Sequence, residues 1–434
     1  MAFLVSEYGY ASTGESFSIS DPNEMWYMEL IGKGKKATGA VWVARRVPDG
    51  YVTGHANQAR ITTFPQNDPE NCVFSPDVIS FARDIGLYEG SDSDFSFSDT
   101  YDPVDFDGAR FCEARVWSFF STVMGKEWSD EYLSYAQGLD LTNRMPLWVK
   151  PSVQLSPQDV MENMRNHYEG TELDNTGKLF PDIGAAQYSY PNRNSPITWS
   201  PPSNPETQYF NERTIAQPPT GWSIVCQSRP GVPRQMAALM WFGIDDSSTS
   251  VHFPVYGSVT RIPEGWAGQG PQDGVTPPLM EFSLDSAFYV FNLVANYAYS
   301  RWDLIYADVH QEIVDREARY FNMVSDADAK AIEIFQSGSE SEGVEFLTAF
   351  SYDIGAKLLR DWFKFFGKLF VKFRDGYVTT ASPINPVCGC STSSTGYQDQ
   401  WYDHIAEDTG DRYKVPTEQA DRTTFRKKDL RSFN

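Results

Sequence analysis

The sequence predicts a mixed α+β fold, and three observations carry that prediction. Short β-favouring runs joined by turns fill the first sixty residues. Strand character returns at residues 222–226 and 237–244. The last third instead shows helical periodicity, with apolar residues recurring at three- and four-residue steps. The order of these segments predicts a β-rich part followed by a helical C-terminal part.

The β-rich start contains several predicted strands. Residues 16–20 alternate in polarity, and a turn leads from them into the aromatic run 25–31. Residues 40–44 follow a Gly/Lys-rich turn, and residues 51–57 follow the turn Pro48-Asp49-Gly50. The sequence therefore predicts that the segments 25–31, 40–44 and 51–57 form a meander.

The middle of the chain predicts helices and long loops. Ser75 is placed as the N-cap of a helix that continues to Ala82, with a proline at its first position. Residues 90–108 are acidic and aromatic and predict a long loop, and residues 109–124 predict a helix. Residues 175–220 are rich in Pro, Asn, Ser and Tyr, which indicates a long surface loop.

The C-terminal third predicts helices at residues 283–306, 313–320 and 352–373. The last of these has one apolar face and one basic face. A core helix with a solvated basic face is the prediction, and a membrane-surface or calmodulin-target helix is the alternative. The basic positions are Lys357, Arg360, Lys364, Lys368 and Lys372. Residues 1–420 are expected to form a single domain, and residues 421–434 a basic tail.

Composition excludes several classes of protein. The 434 residues carry 36 basic and 58 acidic side chains, a net charge of −22, so nucleic acid is not an expected partner. With 41% hydrophobic residues the chain is expected to fold. No run reaches the roughly 18 apolar residues of a membrane span, and the start does not resemble a signal peptide. Five sparse cysteines suggest folding without a disulfide framework, which favours a reducing, cytoplasmic location.

No cofactor or metal site is predicted. The sequence lacks the glycine-rich phosphate-binding patterns, the HExxH zinc pattern and the GxSxG esterase pattern. The acidic run between Asp92 and Asp107 departs from a calcium loop, because Pro103 falls where the first ligand belongs. Cys388-Gly389-Cys390 has one intervening residue and no second cysteine pair nearby, so an inert loop is expected there.

A polar cluster at the end of one predicted strand is the strongest candidate site. It contains His55, Asn57 and Arg60, which a rigid scaffold could present to a substrate. An Asn amide can donate a hydrogen bond to an oxyanion. The alternative is structural, with Asn57 making an Asx-turn and Arg60 paired with a carboxylate. Local sequence leaves both interpretations open.

Long motifs around this cluster resemble those of the PepD-type cysteine dipeptidases, relatives of the secernins. The matching stretches are EYGYASTGESFSI (7–19), PDGY (48–51), HANQARI (55–61), FSPDVISFAR (74–83), GARFCEARVWSF (108–119), MWFGIDD (240–246) and GKLFVK (367–372). They span nearly the whole chain.

The resemblance implies an N-terminal-nucleophile hydrolase with a four-layer α/β/β/α sandwich. It implies that a cysteine at the mature N-terminus attacks the peptide bond of a dipeptide or short peptide, without a cofactor. The resemblance also assigns Asn57 the role of oxyanion donor. Arg110 is the candidate for an arginine beside the nucleophile and Arg115 the second candidate, and His55, Arg60 and Arg115 are expected to contact substrate.

The chain departs from the family pattern at its start. Members of the family begin with the nucleophilic cysteine and a long segment ahead of the EYGY motif, whereas here Glu7 follows Met1 almost at once. The chain is therefore expected to be a fragment of an active dipeptidase, one piece of a split enzyme whose other chain carries the cysteine, or an inactive homologue that serves as a binding protein. A homo-oligomer is a further possibility.

Overall fold

A computed structural model describes residues 15–174, 197–267, 282–385, 387–397 and 399–415. Within these ranges nine α-helices combine with small antiparallel sheets. The predicted α+β class and the helical C-terminal part are confirmed, while the four-layer stacking stays a prediction. No helix in these ranges is both long and apolar enough to cross a bilayer. The predicted tail 421–434 lies outside the described residues.

The strands are β1 (Glu15–Ser20), β2 (Met25–Gly32), β3 (Ala40–Arg46), β4 (Val52–Thr53), β5 (Cys72–Phe74), β6 (Trp148–Val149), β7 (Thr198–Trp199), β8 (Tyr209–Phe210), β9 (Trp222–Ser228), β10 (Ala238–Ile244), β11 (Phe253–Tyr256), β12 (Tyr377–Ala381) and β13 (Cys390–Ser394). The helices are α1 (Val78–Asp84), α2 (Phe97–Tyr101), α3 (Ala114–Met124), α4 (Lys126–Ala136), α5 (Pro157–Asn163), α6 (Ala287–Ser300), α7 (Trp302–Gln336), α8 (Glu340–Phe373) and α9 (Asp399–Thr409). A π-helical turn, Gly108–Glu113, leads directly into α3.

The first sheet has the order β1-β2-β3-β5, and all its neighbouring strands are antiparallel. One face packs Tyr27 and Val43 into a core that includes Val78 of α1. The opposite face buries Met28 and Leu30 in a second cluster. Burial on both faces explains why β2 is apolar along most of its length.

The predicted strand 51–57 is wrong beyond its first residues. Only Val52 and Thr53 form a ladder, and they pair with β6, whereas β5 takes the place beside β3. The physical reason lies at Gly54, whose carbonyl accepts a hydrogen bond from the side chain of Arg60 at 3.0 Å. That carbonyl points to a side chain rather than to a neighbouring strand.

The predicted start of α1 is also corrected. The helix begins at Val78 with Asp77 in the cap position, and the Ser75 hydroxyl accepts a hydrogen bond from the backbone of Trp42 at 3.2 Å. Ser75 therefore fastens the helix to the sheet. The predicted loop 90–108 contains α2, whose N-cap Ser96 accepts from the backbone of Asp99 at 3.4 Å.

The second sheet, β11-β10-β9, packs against α6, α7 and α8 in the largest core. Trp241 of β10 stacks on Phe321 of α7 with ring centres 3.9 Å apart. The predicted helix 283–306 is broken at Arg301, which has an extended φ of −152° and separates α6 from α7. Segment 313–320 is the interior of α7.

Helix α8 confirms the prediction of a core helix with a solvated basic face. It buries Ile354, Leu358 and Trp362, whereas the side chains of Lys357 and Lys364 are mostly exposed. It begins at Glu340, twelve residues earlier than predicted. The N-terminal turns escape detection because their acidic first residues and Gly343 mask the apolar period.

The described part of the predicted loop 175–220 contains the short pair β7–β8. The remaining residues, 175–196, lie outside the described ranges. Cys388 and Cys390 form a disulfide at the start of β13, a bond that was not predicted from the sequence, and the expectation of an inert loop stays a prediction. Cys72, Cys112 and Cys226 are free.

Candidate active site

The candidate site forms where the chain leaves β4. The hydroxyl of Thr53 donates to the carbonyl of Leu147 at 2.7 Å, which ties the strand end to the segment before β6. Asn57 then takes a positive φ of 68°, a region in which Asn is better tolerated than most residues. Its backbone N–H donates to Nδ1 of His55 at 3.3 Å. The chain therefore bends at Asn57, but the bond comes from its backbone N–H to the His55 ring, and the predicted Asx-turn, which would use the Asn57 side chain, does not form within the described range 15–174.

Arg115 of α3 fixes the orientation of the Asn57 side chain. Its Nη2 donates to Oδ1 of Asn57 at 3.0 Å and to the carbonyl of Ala56 at 3.1 Å. A guanidinium has only donors, so the atom that faces it must be the amide oxygen. The amide nitrogen of Asn57 consequently points away from Arg115, and it donates to no acceptor in the described part of the chain. Asn57 thus has an N–H donor of fixed direction that finds no acceptor among the described residues.

Arg60 is a structural anchor. Its Nε lies 3.0 Å from Oε1 of Glu113, and both side chains are at most 2% exposed. Its Nη1 donates to Gly54 and Leu147 carbonyls at 3.0 Å, and its Nη2 donates to the Pro146 carbonyl at 2.7 Å. The structure therefore agrees with the alternative interpretation, in which Arg60 pairs with a carboxylate.

Glu29 connects the central strand β2 to the same corner. Its carboxylate accepts hydrogen bonds from the backbone N–H groups of Arg60 at 2.8 Å and Ile61 at 2.9 Å, and from the Tyr27 hydroxyl. Burial raises the pKa of Glu29 to about 7, although these hydrogen bonds oppose the shift. The backbone that follows Asn57 is therefore held by a buried carboxylate.

His55 is neutral in this environment. Burial, with the nearby charges of Arg60 and Arg115, lowers its pKa to about 3. Because Nδ1 accepts from Asn57, the proton belongs on Nε2. That Nε2 is buried and finds no partner among the described residues. His55 can donate a hydrogen bond from Nε2, but it cannot supply positive charge at neutral pH.

Arg110 lies in the π-helical turn and does not contact Asn57 in this structure. It forms an ion pair with Glu212, and its guanidinium lies over the ring of Phe210, 4.8 Å from the ring centre. Burial raises the pKa of Glu212, while Arg110 opposes that shift. Arg110 and Cys112 belong to the same π-helical turn, Arg115 follows in the first turn of α3, and π-helical turns are frequent at functional sites.

Several members of this network could not be singled out from the sequence. Glu29 and Glu212 come from distant segments that none of the quoted motifs covers, and Glu113, although it lies in the motif 108–119, has a buried arginine partner that only the fold reveals. Burial raises the pKa of the Cys112 thiol, with Arg115 opposing, so Cys112 is held mainly as a thiol. In the described ranges no group of three His, Cys, Asp or Glu side chains is placed to hold a metal ion.

The chain resembles known peptidases across most of its length. The family model named "Peptidase family C69" matches residues 1–314. A probable dipeptidase from Latilactobacillus sakei is 25% identical over 356 residues, which cover 82% of this chain and 63% of the relative. Dipeptidase A from Lactobacillus helveticus is 24% identical over 307 residues, covering 68% of this chain and 52% of the relative.

A probable dipeptidase from Salmonella dublin is 26% identical over 255 residues, covering 58% of this chain and 49% of that relative. The chain thus spans about half to three fifths of the length of these three relatives. Because the family model covers well over half of the 434 residues, the chain belongs to peptidase family C69.

Proposed function

We propose that this protein is a dipeptidase of the N-terminal-cysteine type, in which Asn57 donates a hydrogen bond to the oxyanion. The single observation that carries the proposal is the bond from Arg115 to Oδ1 of Asn57, 3.0 Å long, which leaves the amide N–H directed away from the guanidinium. A donor that is oriented before substrate arrives needs no reorganisation in the transition state.

In the proposed mechanism a cysteine thiolate attacks the peptide carbonyl of a short substrate. The α-amino group of that cysteine, with a usual pKa of about 7.7–8.0, takes up and returns the proton. The carbonyl oxygen becomes an oxyanion and is stabilised by Asn57 Nδ2–H. The tetrahedral intermediate collapses to a thioester and releases the first amino acid, and water then releases the second.

The nucleophile is proposed to come from a segment outside these 434 residues, on the same polypeptide or on a second chain. Each of the five cysteines here is joined through its nitrogen to a preceding residue, so none has the free α-amino group that this chemistry uses. Cys72 is also buried. We assign Asn57 the catalytic role and Arg115 the role of positioning it.

The other predicted site residues receive separate proposed roles. His55 offers its Nε2–H to the substrate or to the nucleophile segment, since that donor lacks a partner in the described structure. Arg60 holds the strand end through its hydrogen bonds to the Gly54 and Leu147 carbonyls, and Glu113 compensates its charge. Arg110 remains the candidate for an arginine near the nucleophile, and its ion pair with Glu212 would set how much positive charge it contributes there.

The test is an assay of the protein produced from its whole natural gene. It should release free amino acids from dipeptides, prefer them to longer peptides, and lose activity after thiol alkylation. The isolated 434-residue chain should be inactive in the same assay. A lack of dipeptide hydrolysis by the whole gene product would instead favour the rival function, a binding protein that retains the fold. Hydrolysis that survives alkylation would contradict the cysteine mechanism.

A further inference from the structure

The hairpin of β12 and β13 carries a disulfide that bridges a single residue. Cys388 and Cys390 are joined across Gly389, with their Cα atoms 5.2 Å apart. Gly389 has a positive φ of 62°, and no atom lies within 4 Å of the place where a Cβ would stand. Cys388 is exposed and Cys390 is partly exposed. A small molecule can therefore approach the sulfur of Cys388 from solvent.

The hairpin does not depend on this bond for its shape. The backbone N–H of Ser382 donates to the Gly389 carbonyl at 2.7 Å, and that of Gly389 donates to the Asn385 carbonyl at 3.0 Å. The side chain of Asn385 donates to the Cys390 carbonyl at 2.9 Å. A cross-link over so short a loop also removes little entropy from the unfolded chain. Opening the bond should leave the fold intact.

The two sulfur atoms are not equivalent. The backbone N–H of Cys390 donates to Sγ of Cys388 at 3.2 Å. An N–H donor stabilises a thiolate, so in the reduced state Cys388 is the better nucleophile as well as the more exposed one. Exposed disulfides are also the ones that thiols in solution reduce most readily.

We propose that Cys388 and Cys390 form a thiol–disulfide exchange site for low-molecular-weight thiols and disulfides. In the oxidising direction the Cys388 thiolate attacks a disulfide RSSR, forms a mixed disulfide and expels RS⁻. The Cys390 thiol loses its proton to solvent, and its thiolate attacks Sγ of Cys388 and expels a second RS⁻. The protein loses two electrons and the small disulfide gains them. Reduction by two thiols follows the same steps in reverse.

This inference is independent of the proposed peptidase activity, because the hairpin packs against α8 rather than against the corner that holds Asn57. The exchange can be measured whether or not the protein hydrolyses dipeptides. It also needs no residue outside the described ranges.

The experiment equilibrates the full chain with reduced and oxidised glutathione in native buffer, blocks thiols with N-ethylmaleimide, and maps the blocked cysteines by mass spectrometry. Millimolar reduced glutathione should convert the pair to two thiols, and oxidised glutathione should restore the bond, while circular dichroism shows an unchanged fold. A Cys226→Ser variant, which removes another exposed thiol, should exchange like the parent protein.

Single variants test the assignment of the attacking sulfur. Cys390→Ser should accumulate one glutathione on Cys388, and Cys388→Ser should react several-fold more slowly at Cys390. The proposal is overturned if the pair resists millimolar glutathione in the folded protein, or if its two thiols stay reduced in oxidised glutathione. Equal rates in the two single variants would overturn the role given to Cys388.

Discussion

Asn57 combines a strained backbone with a side chain held in one orientation. Its φ of 68° turns the chain away from β4, and Arg115 contacts both its amide oxygen and the carbonyl before it. The type and place of Asn57 left a functional and a structural role open, and the family resemblance is what assigns it the role of oxyanion donor. The partner that orients it could not be predicted, because 58 residues separate Asn57 from Arg115 and only the fold brings them together.

Replacing Arg115 should therefore impair catalysis more than substrate binding. In Arg115→Lys a single ammonium replaces the planar group that contacts Phe111, Ala56 and Asn57. We expect kcat for dipeptide hydrolysis to fall by about tenfold to a hundredfold, with KM nearly unchanged. Steady-state kinetics on the whole gene product measure both. The matched control is Arg83→Lys at an exposed ion pair, and an equal effect in the control would contradict the positioning role.

Asp245 provides a pH test at a single residue. It is buried with the Asn292 amide as a partner at 3.1 Å, and burial raises its pKa to about 7. Because the folded pKa lies above the unfolded value, the stabilisation is fully present below about pH 4 and is lost as pH rises through about 7. The protein should therefore be less stable at about pH 8 than at about pH 5, by about 1–3 kcal/mol from this group.

The Asp245→Asn variant keeps the shape of the side chain and removes the titrating group. Urea unfolding of the variant should show a smaller loss of stability between the two pH values than the parent protein shows. Asp84→Asn, at an exposed position on α1, should leave the pH dependence unchanged. A pH dependence that is the same in all three proteins would contradict a raised pKa at Asp245.

At the scale of elements, prediction succeeded where burial gives a regular pattern. Strands β2, β3, β9 and β10 follow from β-favouring composition between turns, and helix α8 follows from helical periodicity. Prediction failed where a side chain forms a hydrogen bond with a distant or looped backbone group, as Arg60 does with the Gly54 carbonyl and Ser75 does with the Trp42 N–H. Such contacts join distant segments, and local propensity carries no information about them.

The π-helical turn makes a prediction about Gly108. A Cβ at this position would overlap Oε1 of Gln58, the residue that follows Asn57. The side-chain amide of Gln58 donates to the backbone carbonyl of Asp102. Gly108→Ala should destabilise the protein by about 1–3 kcal/mol through this overlap. Thermal or urea unfolding measures the change.

Gly367 in α8 is the matched control, since no atom lies within 4 Å of its would-be Cβ. Gly367→Ala should be neutral or stabilising by up to about 1 kcal/mol, because alanine favours a helix. Equal destabilisation by the two substitutions would show that the overlap with Gln58 is not the cause.

At the scale of the whole molecule, one buried ionic network joins the second sheet to α7 and to the segment after α5. Arg165 Nη2 lies 2.5 Å from Oε1 of Glu317, and the same oxygen accepts from the backbone of His252 at 2.9 Å. The side chains of Arg165 and Glu317 are 2% and 6% exposed. Glu317 thus joins α7 to the segment after α5, which contains Arg165, and to the residue before β11, His252.

Removing one partner of a buried ion pair leaves the other charge uncompensated. Glu317→Ala should therefore lower the free energy of unfolding by about 3–5 kcal/mol. Glu333→Ala in the same helix removes an exposed pair with Lys330, and it should cost less than about 1 kcal/mol. Urea denaturation of both variants decides between these values, and similar losses would contradict a special role for Glu317.

The fold class of the molecule could be predicted from the sequence, but the contacts between its distant segments could not. The sequence predicts an α+β chain with a helical end and places Asn57 at a strand terminus. The fold adds Glu29 behind the strand end and Arg115 beside the amide, from segments that lie far apart in sequence. The catalytic role proposed for Asn57 depends on those added contacts.

The proposed oxyanion donor is tested most directly by kcat for dipeptide hydrolysis in an Asn57→Ala variant of the whole gene product, with Asn71→Ala, in the turn before β5, as a control. Loss of the amide N–H should lower kcat by about 10²–10³-fold with little change in KM, while the control stays near the parent value. A kcat for Asn57→Ala close to that of the parent protein would contradict the assignment.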